Sequence, residues 1–280
     1  KKFKKNISKA EAKIFLDGLV ADSVTYKNIF DTETKKWSRN EMSLKNSLSI
    51  LYGFNVTQQT PMVLSIMREY NAKRLKYKVA KEALEAIEYF HYIFTAITSQ
   101  RSSGGVASMY SQFARKLSEA KDDITRLNII RDLRQKMKER IPTYDEFLAA
   151  FKTLEFTNGY TKQKRIIQYT LSKIDKHFNK SGVEINYDGM TLEHLLPQNP
   201  PHKLPNHDNF CGTIGNLLMI DERTNNALGN KPWTVKKSIL EKTKIHVDDT
   251  IKNANDWTPK EIEKRTIYLA KIAYNSVFKI

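Results

Sequence analysis

Apolar residues recur at helical spacing between residues 8 and 178, and this pattern constrains the fold more than any other feature of the sequence. The segment VAKEALEAIEYFHYIFTAI places its apolar side chains on one broad stripe, which is typical of a buried helix. The segment KQKRIIQYTLSKIDKHF has an apolar face and a basic face. The spacing therefore predicts a helical domain, which we place at residues 1–160.

Capping signals mark where several of these helices begin. Ser8 and Glu11 stand at capping-box spacing at the start of SKAEAKIFLDGLV. Thr143 and Glu146 have the same spacing before YDEFLAAFKTL. These pairs predict helix starts at residues 9 and 144.

The pattern changes at about residue 181. SGVEINYDGMTLEHLLPQ is strand-like near its start and ends at a histidine, and GTIGNLLMI predicts a second strand after a long loop. A capped turn, DERTNNALGNKPW, enters a helix, and WTPKEIEKRTIYLAK forms a closing helix. We therefore predict a mainly α chain in which residues 161–280 form a small α+β domain with a strand–strand–helix (ββα) unit.

Basic residues outnumber acidic ones by 47 to 31, which gives a formal charge of +16. Such a charge attracts polyanions, most commonly nucleic acid. Residues 161–180 carry six bases and one acid, residues 181–230 six acids and two bases, and residues 231–240 three bases. An acidic segment between basic ones suits a cation beside a bound polyphosphate. Ordinary solvated surfaces would explain the charges equally well.

Other features of composition narrow the class of protein. The single cysteine, Cys211, excludes an internal disulfide and a multi-cysteine zinc site, so we expect a reducing, cytoplasmic compartment. The sequence has no apolar run near the roughly 18 residues of a membrane span. It does not begin with methionine, and we expect it to be a fragment of a longer protein.

Four polar residues converge in the predicted ββα unit. Glu193 and His194 close the first strand, Asn216 opens the second, and Asn225 lies at the start of the following helix. A histidine there can take a proton from water. A carboxylate and an amide oxygen beside it are hard ligands that suit Mg²⁺.

This spacing resembles that of the ββα-metal, or His-Me finger (HNH), nucleases, and the similarity extends further. The segments LEHLLPQ, TIGNLLMI and TNNALGNKPW resemble the C-terminal nuclease domain of GmrSD-type restriction endonucleases. The matching positions are a His-x-x-Pro motif, a Gly-Asn-Leu strand, and an Asn-containing turn that closes in Asn-Lys and an aromatic residue. The closing helix also resembles that of the family.

The resemblance implies a role for each polar residue. His194, Asn216 and Asn225 are the expected catalytic residues, with His194 as general base and Asn216 more as a brace of the loop than as a ligand. Glu193, His194 and Asn225 are the expected ligands of one Mg²⁺ or Mn²⁺ ion. A hydrogen bond from the other ring nitrogen of His194 to a carbonyl of the second strand would orient the ring. The residues expected to hold DNA phosphates are Lys162, Lys164, Arg165, Lys231, Lys236 and Lys237.

Several alternatives stay open in the sequence. His194 could be a buried structural histidine. Glu193 can join it at one site only if the strand distorts, because adjacent strand residues point to opposite faces. Asn225 and Asn226 compete for the ligand role, and the nine-residue spacing from Asn216 favours Asn225.

The resemblance implies a metal-dependent DNA endonuclease that acts in restriction or phage defence, on phage or modified DNA. In such proteins a nucleotide-hydrolysing sensor domain usually precedes the nuclease, and we see no feature of one here. The rival interpretation is a basic helical DNA-binding module whose ββα unit is inactive. The first interpretation requires the site to be assembled, which sequence alone does not test.

Overall fold

A computed structural model describes residues 8–100, 104–179, 187, 189–200, 203, 205–243 and 247–280. The protein consists of two compact units, each of which has most of its contacts within itself: residues 1–141 with Ile280, and residues 142–279. The unit boundary lies upstream of the one predicted between residues 160 and 161. Tyr144 and Phe147 explain this, because both rings contact Tyr274 near the end of the chain.

The first unit is helical, as predicted. Its core contains Leu84, Ile87 and Phe90, none of which is exposed to solvent. The capping box of Ser8 and Glu11 is present at the start of the first helix. The helices are α1 (Lys9–Phe30), α2 (Met42–Gly53), α3 (Thr60–Asn71), α4 (Tyr77–His91, continued by a π-helical turn Tyr92–Ile97), α5 (Gly105–Glu119) and α6 (Asp123–Lys138).

The second unit contains two short strands among helices. Strands β1 (Thr191–His194) and β2 (Leu217–Ile220) pair antiparallel, with Thr191 opposite Ile220 and His194 opposite Leu217. The start of the predicted first strand, residues 181–186, lies outside the described residues. The helices of this unit are α7 (Tyr144–Phe151), α8 (Lys164–Phe178), α9 (His207–Cys211), α10 (Glu222–Leu228), α11 (Trp233–Leu240), α12 (Asp249–Lys252) and α13 (Pro259–Ile272).

The observed order of elements confirms the predicted fold class, a mainly helical chain with a small two-stranded antiparallel sheet in its C-terminal part. The segment predicted as a capped turn entering a helix consists of two helices, α10 and α11. Asn225 therefore lies in the middle of α10 and not at its start. None of the helices in the described part of the chain combines the length and hydrophobicity that a membrane span requires.

The turn before β2 is fixed against α13 by close packing and by a buried charge. A Cβ atom on Gly215 would overlap the carbonyl oxygen of Ile262, so only glycine lets the two backbones approach this closely. Arg265 Nη1 donates to the carbonyl oxygens of Gly215 and Leu217, at 2.8 Å each. Asp248 accepts from Arg265 Nε at 2.8 Å and balances its charge. The start of β2 is thus held in one position.

Candidate active site

Strand β1 turns Glu193 and His194 to opposite faces of the sheet. The strand pairs regularly to its end, with Glu193 opposite Leu218 and His194 opposite Leu217. Side chains alternate along such a strand. Each of the two residues is 6% exposed, and their side chains bond to different parts of the domain. The distortion that would bring both to one point is not seen in β1.

The ring of His194 is oriented by Phe156. The Nε2–H group of His194 donates to the carbonyl oxygen of Phe156 at 2.9 Å. A carbonyl can only accept, so this bond places the proton on Nε2 and leaves a lone pair on Nδ1. The two rings also stack, with centroids 5.7 Å apart and planes 25° apart. A backbone carbonyl therefore orients the histidine, as predicted, but it does not belong to the second strand.

The segment that carries Phe156 is held by backbone pairing with the end of the long loop. Phe156 N donates to the carbonyl oxygen of Gly212 at 2.8 Å, and Ile214 N donates to that of Leu154 at 3.0 Å. A Cβ atom on Gly212 would lie 2.8 Å from Thr157 Cγ2 and 3.3 Å from Phe156 O. The sequence alone does not indicate Phe156, because its carbonyl orients His194 and every residue type carries a carbonyl.

Gln198 covers the other side of the histidine. Its Nε2 donates to His194 Nδ1 at 3.3 Å, and its Oε1 accepts from Asn158 N at 2.9 Å. Burial lowers the pKa of His194, against the opposing effect of the Phe156 hydrogen bond, so the ring is neutral at pH 7. A neutral imidazole with its lone pair on Nδ1 can accept a proton.

On the opposite face of β1, Glu193 forms a buried ion pair with Lys236. Lys236 Nζ lies 2.5 Å from Glu193 Oε1 and donates to the carbonyl oxygen of His194 at 2.7 Å. Burial raises the pKa of Glu193, and Lys236 opposes this shift. Lys236, one of the residues predicted to hold DNA phosphates, is fully buried on α11, and its ammonium is engaged by Glu193. Its position inside the fold follows from the packing of α11, which residue type does not reveal.

Asn225 lies on the same side of β1 as Glu193. Its Nδ2 donates to Thr191 Oγ1 at 2.6 Å, and Thr191 and Glu193 are two residues apart on one strand. The Oδ1 atom of Asn225 has no hydrogen-bond partner among the described residues. Asn226, the competing candidate, is exposed, so Asn225 is the residue that faces the strand. Within the described ranges, no three His, Cys, Asp or Glu side chains are grouped closely enough to hold a metal ion.

Asn216 uses its whole side-chain amide inside the domain. Its Oδ1 accepts from Leu196 N at 2.7 Å and from Trp257 Nε1 at 2.9 Å. Its Nδ2 donates to the carbonyl oxygens of Leu196 and Cys211, at 2.9 and 2.7 Å. These four bonds fix the loop after β1, in line with the predicted bracing role, and they leave the amide no capacity for a metal ion.

The other residues predicted to hold DNA phosphates differ in their exposure to solvent. Lys162, Lys164, Arg165 and Lys231 are exposed, whereas Lys237 is half-buried and donates to the Ala254 carbonyl. Lys164 Nζ lies 5.6 Å from the centre of the Phe156 ring, on which His194 also stacks. The basic start of α8 is therefore close to the histidine side of the site.

Most of the second unit matches a known protein family. Residues 141–272 match the family model described as "GmrSD restriction endonucleases, C-terminal domain". This match spans the capping box before α7, both strands and all of α13. A search of curated proteins found no match to the chain.

Proposed function

Since residues 141–272 carry the C-terminal domain of the GmrSD restriction endonucleases, we propose that this chain hydrolyses DNA phosphodiester bonds with His194 as the general base. The observation that carries the proposal is the hydrogen bond from His194 Nε2 to the carbonyl of Phe156. It fixes the tautomer whose Nδ1 lone pair can accept a proton. A buried structural histidine could make the same bond, so the function of the Nδ1 atom has to be tested by its effect on cleavage.

In the proposed reaction, Nδ1 of His194 removes a proton from the water that attacks the phosphorus atom. General-base help of this kind is worth about 10²–10⁴ in rate. Gln198 Nε2 lies where that water would bind, so Gln198 must move aside or share the contact when DNA enters. Asn158 N donates to Gln198 Oε1 and anchors the glutamine in its observed position.

We propose one Mg²⁺ or Mn²⁺ ion per site, with Glu193 and Asn225 as its protein ligands. The chemistry of this pair fits, because the carboxylate of Glu193 on β1 and the amide oxygen of Asn225 on α10 are hard donors on the same side of β1. Asn225 Oδ1 has no other partner among the described residues. When bound, such an ion stabilises negative charge on the phosphate and the leaving oxygen. His194, predicted as a third ligand, lies on the other face and is assigned to proton transfer alone.

Exposed basic residues at the start of α8 and before α11, together with the half-buried Lys237 within α11, would hold the DNA backbone. Contacts from such side chains to phosphates position the duplex and carry no sequence information. We propose that an upstream nucleotide-hydrolysing domain, outside this chain, selects phage or modified DNA in the cytoplasm. The residues assigned to phosphate binding are Lys162, Lys164, Arg165, Lys231 and Lys237.

Plasmid nicking tests the proposal. Supercoiled DNA is incubated with the chain and Mg²⁺ or Mn²⁺, beside the His194→Ala variant and an EDTA control. His177→Ala is the matched control, because His177 is an exposed histidine at the end of α8. Metal-dependent nicking that His194→Ala abolishes and His177→Ala retains would support the proposal. Equal nicking by His194→Ala would refute the role of His194, and DNA binding without cleavage by any variant would favour the inactive module.

A further inference from the structure

At the end of β1, the ammonium group of Lys236 occupies a position that would also suit a metal cation. Its ammonium contacts the Glu193 carboxylate at 2.5 Å and the carbonyl oxygen of His194 at 2.7 Å. Both partners are oxygen atoms, the donor type that a divalent ion also selects. The lysine is completely buried, which is rare for this residue type and occurs where its charge is paired.

Two cations at the Glu193 carboxylate would repel each other strongly. The carboxylate is buried, and charges interact more strongly there than at the surface. One negative charge balances the ammonium of Lys236 and cannot also balance a divalent ion beside it. Lys236 has a flexible four-carbon side chain, so it can withdraw without a change in the backbone of α11.

We propose that Lys236 is a built-in competitor of the divalent ion: its ammonium and the ion compete for the Glu193 carboxylate, so Lys236 must leave when the ion binds. This inference rests on the proposed function in one respect, the assignment of Glu193 as a metal ligand. The lysine balances the charge of Glu193 and thereby sets a threshold concentration for metal binding. A site without it would take up metal at lower concentrations.

Affinity for Mn²⁺, measured by electron paramagnetic resonance of the free ion, tests the competition without DNA or catalysis. We expect Lys236→Met to bind Mn²⁺ about 5- to 150-fold more tightly than the unaltered chain, the usual range for coupling between two ligands. The double variant Lys236→Met with Glu193→Gln should lose this gain. Equal affinity of Lys236→Met and the unaltered chain would overturn the proposal, as would a gain that persists in the double variant.

A second measurement uses the unaltered chain, so it does not depend on the folding of a variant. Lysines are acetylated briefly with and without saturating Mn²⁺, and the modified positions are counted by mass spectrometry. Acetylation of Lys236 should rise when Mn²⁺ binds, while its half-buried neighbour Lys237 should not change and serves as the internal control. If Lys236 stays protected while Mn²⁺ is bound, the competition is refuted. His194-dependent nicking is measured separately, so failure of this inference is distinct from failure of the proposed function.

Discussion

Replacement of Asn216 by alanine tests whether this residue braces the loop after β1 or takes part in catalysis. The change removes four side-chain hydrogen bonds, to Leu196 N, Leu196 O, Cys211 O and Trp257 Nε1. Leu196 O keeps a long contact from the Cys211 thiol at 3.7 Å, so three groups lose their partner. A buried polar group without a partner costs about 1–3 kcal/mol, which predicts a loss of roughly 3–6 kcal/mol if water fills part of the space.

Equilibrium unfolding in urea measures this loss. Two of the three tryptophans, Trp233 and Trp257, stack in the second unit with centroids 4.9 Å apart. A Trp37→Phe background removes the tryptophan of the first unit, so fluorescence then follows the second unit alone. Asn226→Ala is the matched control, because this asparagine is exposed, and we expect it to change the free energy of unfolding by less than about 0.5 kcal/mol.

The result distinguishes two roles for Asn216. If the variant is less stable but its folded fraction binds Mn²⁺ with unaltered affinity, the role of Asn216 is to brace the loop. A loss of less than about 1 kcal/mol would refute the reasoning, because three buried orphaned groups cost more than that. Weaker Mn²⁺ binding at unaltered stability would instead indicate that Asn216 contributes directly to the metal site.

Three further predictions concern the parts around the site. Gly212→Ala should slow nicking by about tenfold, because the new Cβ would lie 3.3 Å from the Phe156 carbonyl that orients His194; unaltered nicking would contradict this. Asp248→Asn should destabilise the chain at neutral pH. Burial alone raises the pKa of Asp248, but Arg265 and hydrogen bonds lower it overall. The unaltered chain should therefore exceed the variant in free energy of unfolding by the full amount above pH 3.8, and by less as the pH falls below that value. Urea unfolding across this pH range tests the expectation. Lys231→Ala should weaken DNA binding and reduce the salt dependence of log K by about one unit, measured by fluorescence anisotropy, and an unaltered slope would exclude a phosphate contact.

The sequence alone determined the features that depend on neighbouring residues. Ser8 with Glu11, and Thr143 with Glu146, form the predicted capping boxes, because donor and acceptor lie three residues apart. Helical spacing and the order of strand, loop, strand and helix can also be read along the chain, and the structure confirms the fold class that they predict. Three short motifs in that order were enough to indicate the family of residues 141–272.

Only the tertiary structure decided which groups meet at the site. Phe156 lies 38 residues before His194, and Lys236 lies 43 residues after Glu193. Neither pairing has a local signal: one uses a backbone carbonyl, which every residue carries, and the other buries a lysine, which by type belongs at the surface. The faces of β1 were also fixed by pairing with β2, since the register sends Glu193 and His194 to opposite sides. Contacts of this kind arise when distant segments pack together, and the residues beside each partner in the chain do not record them.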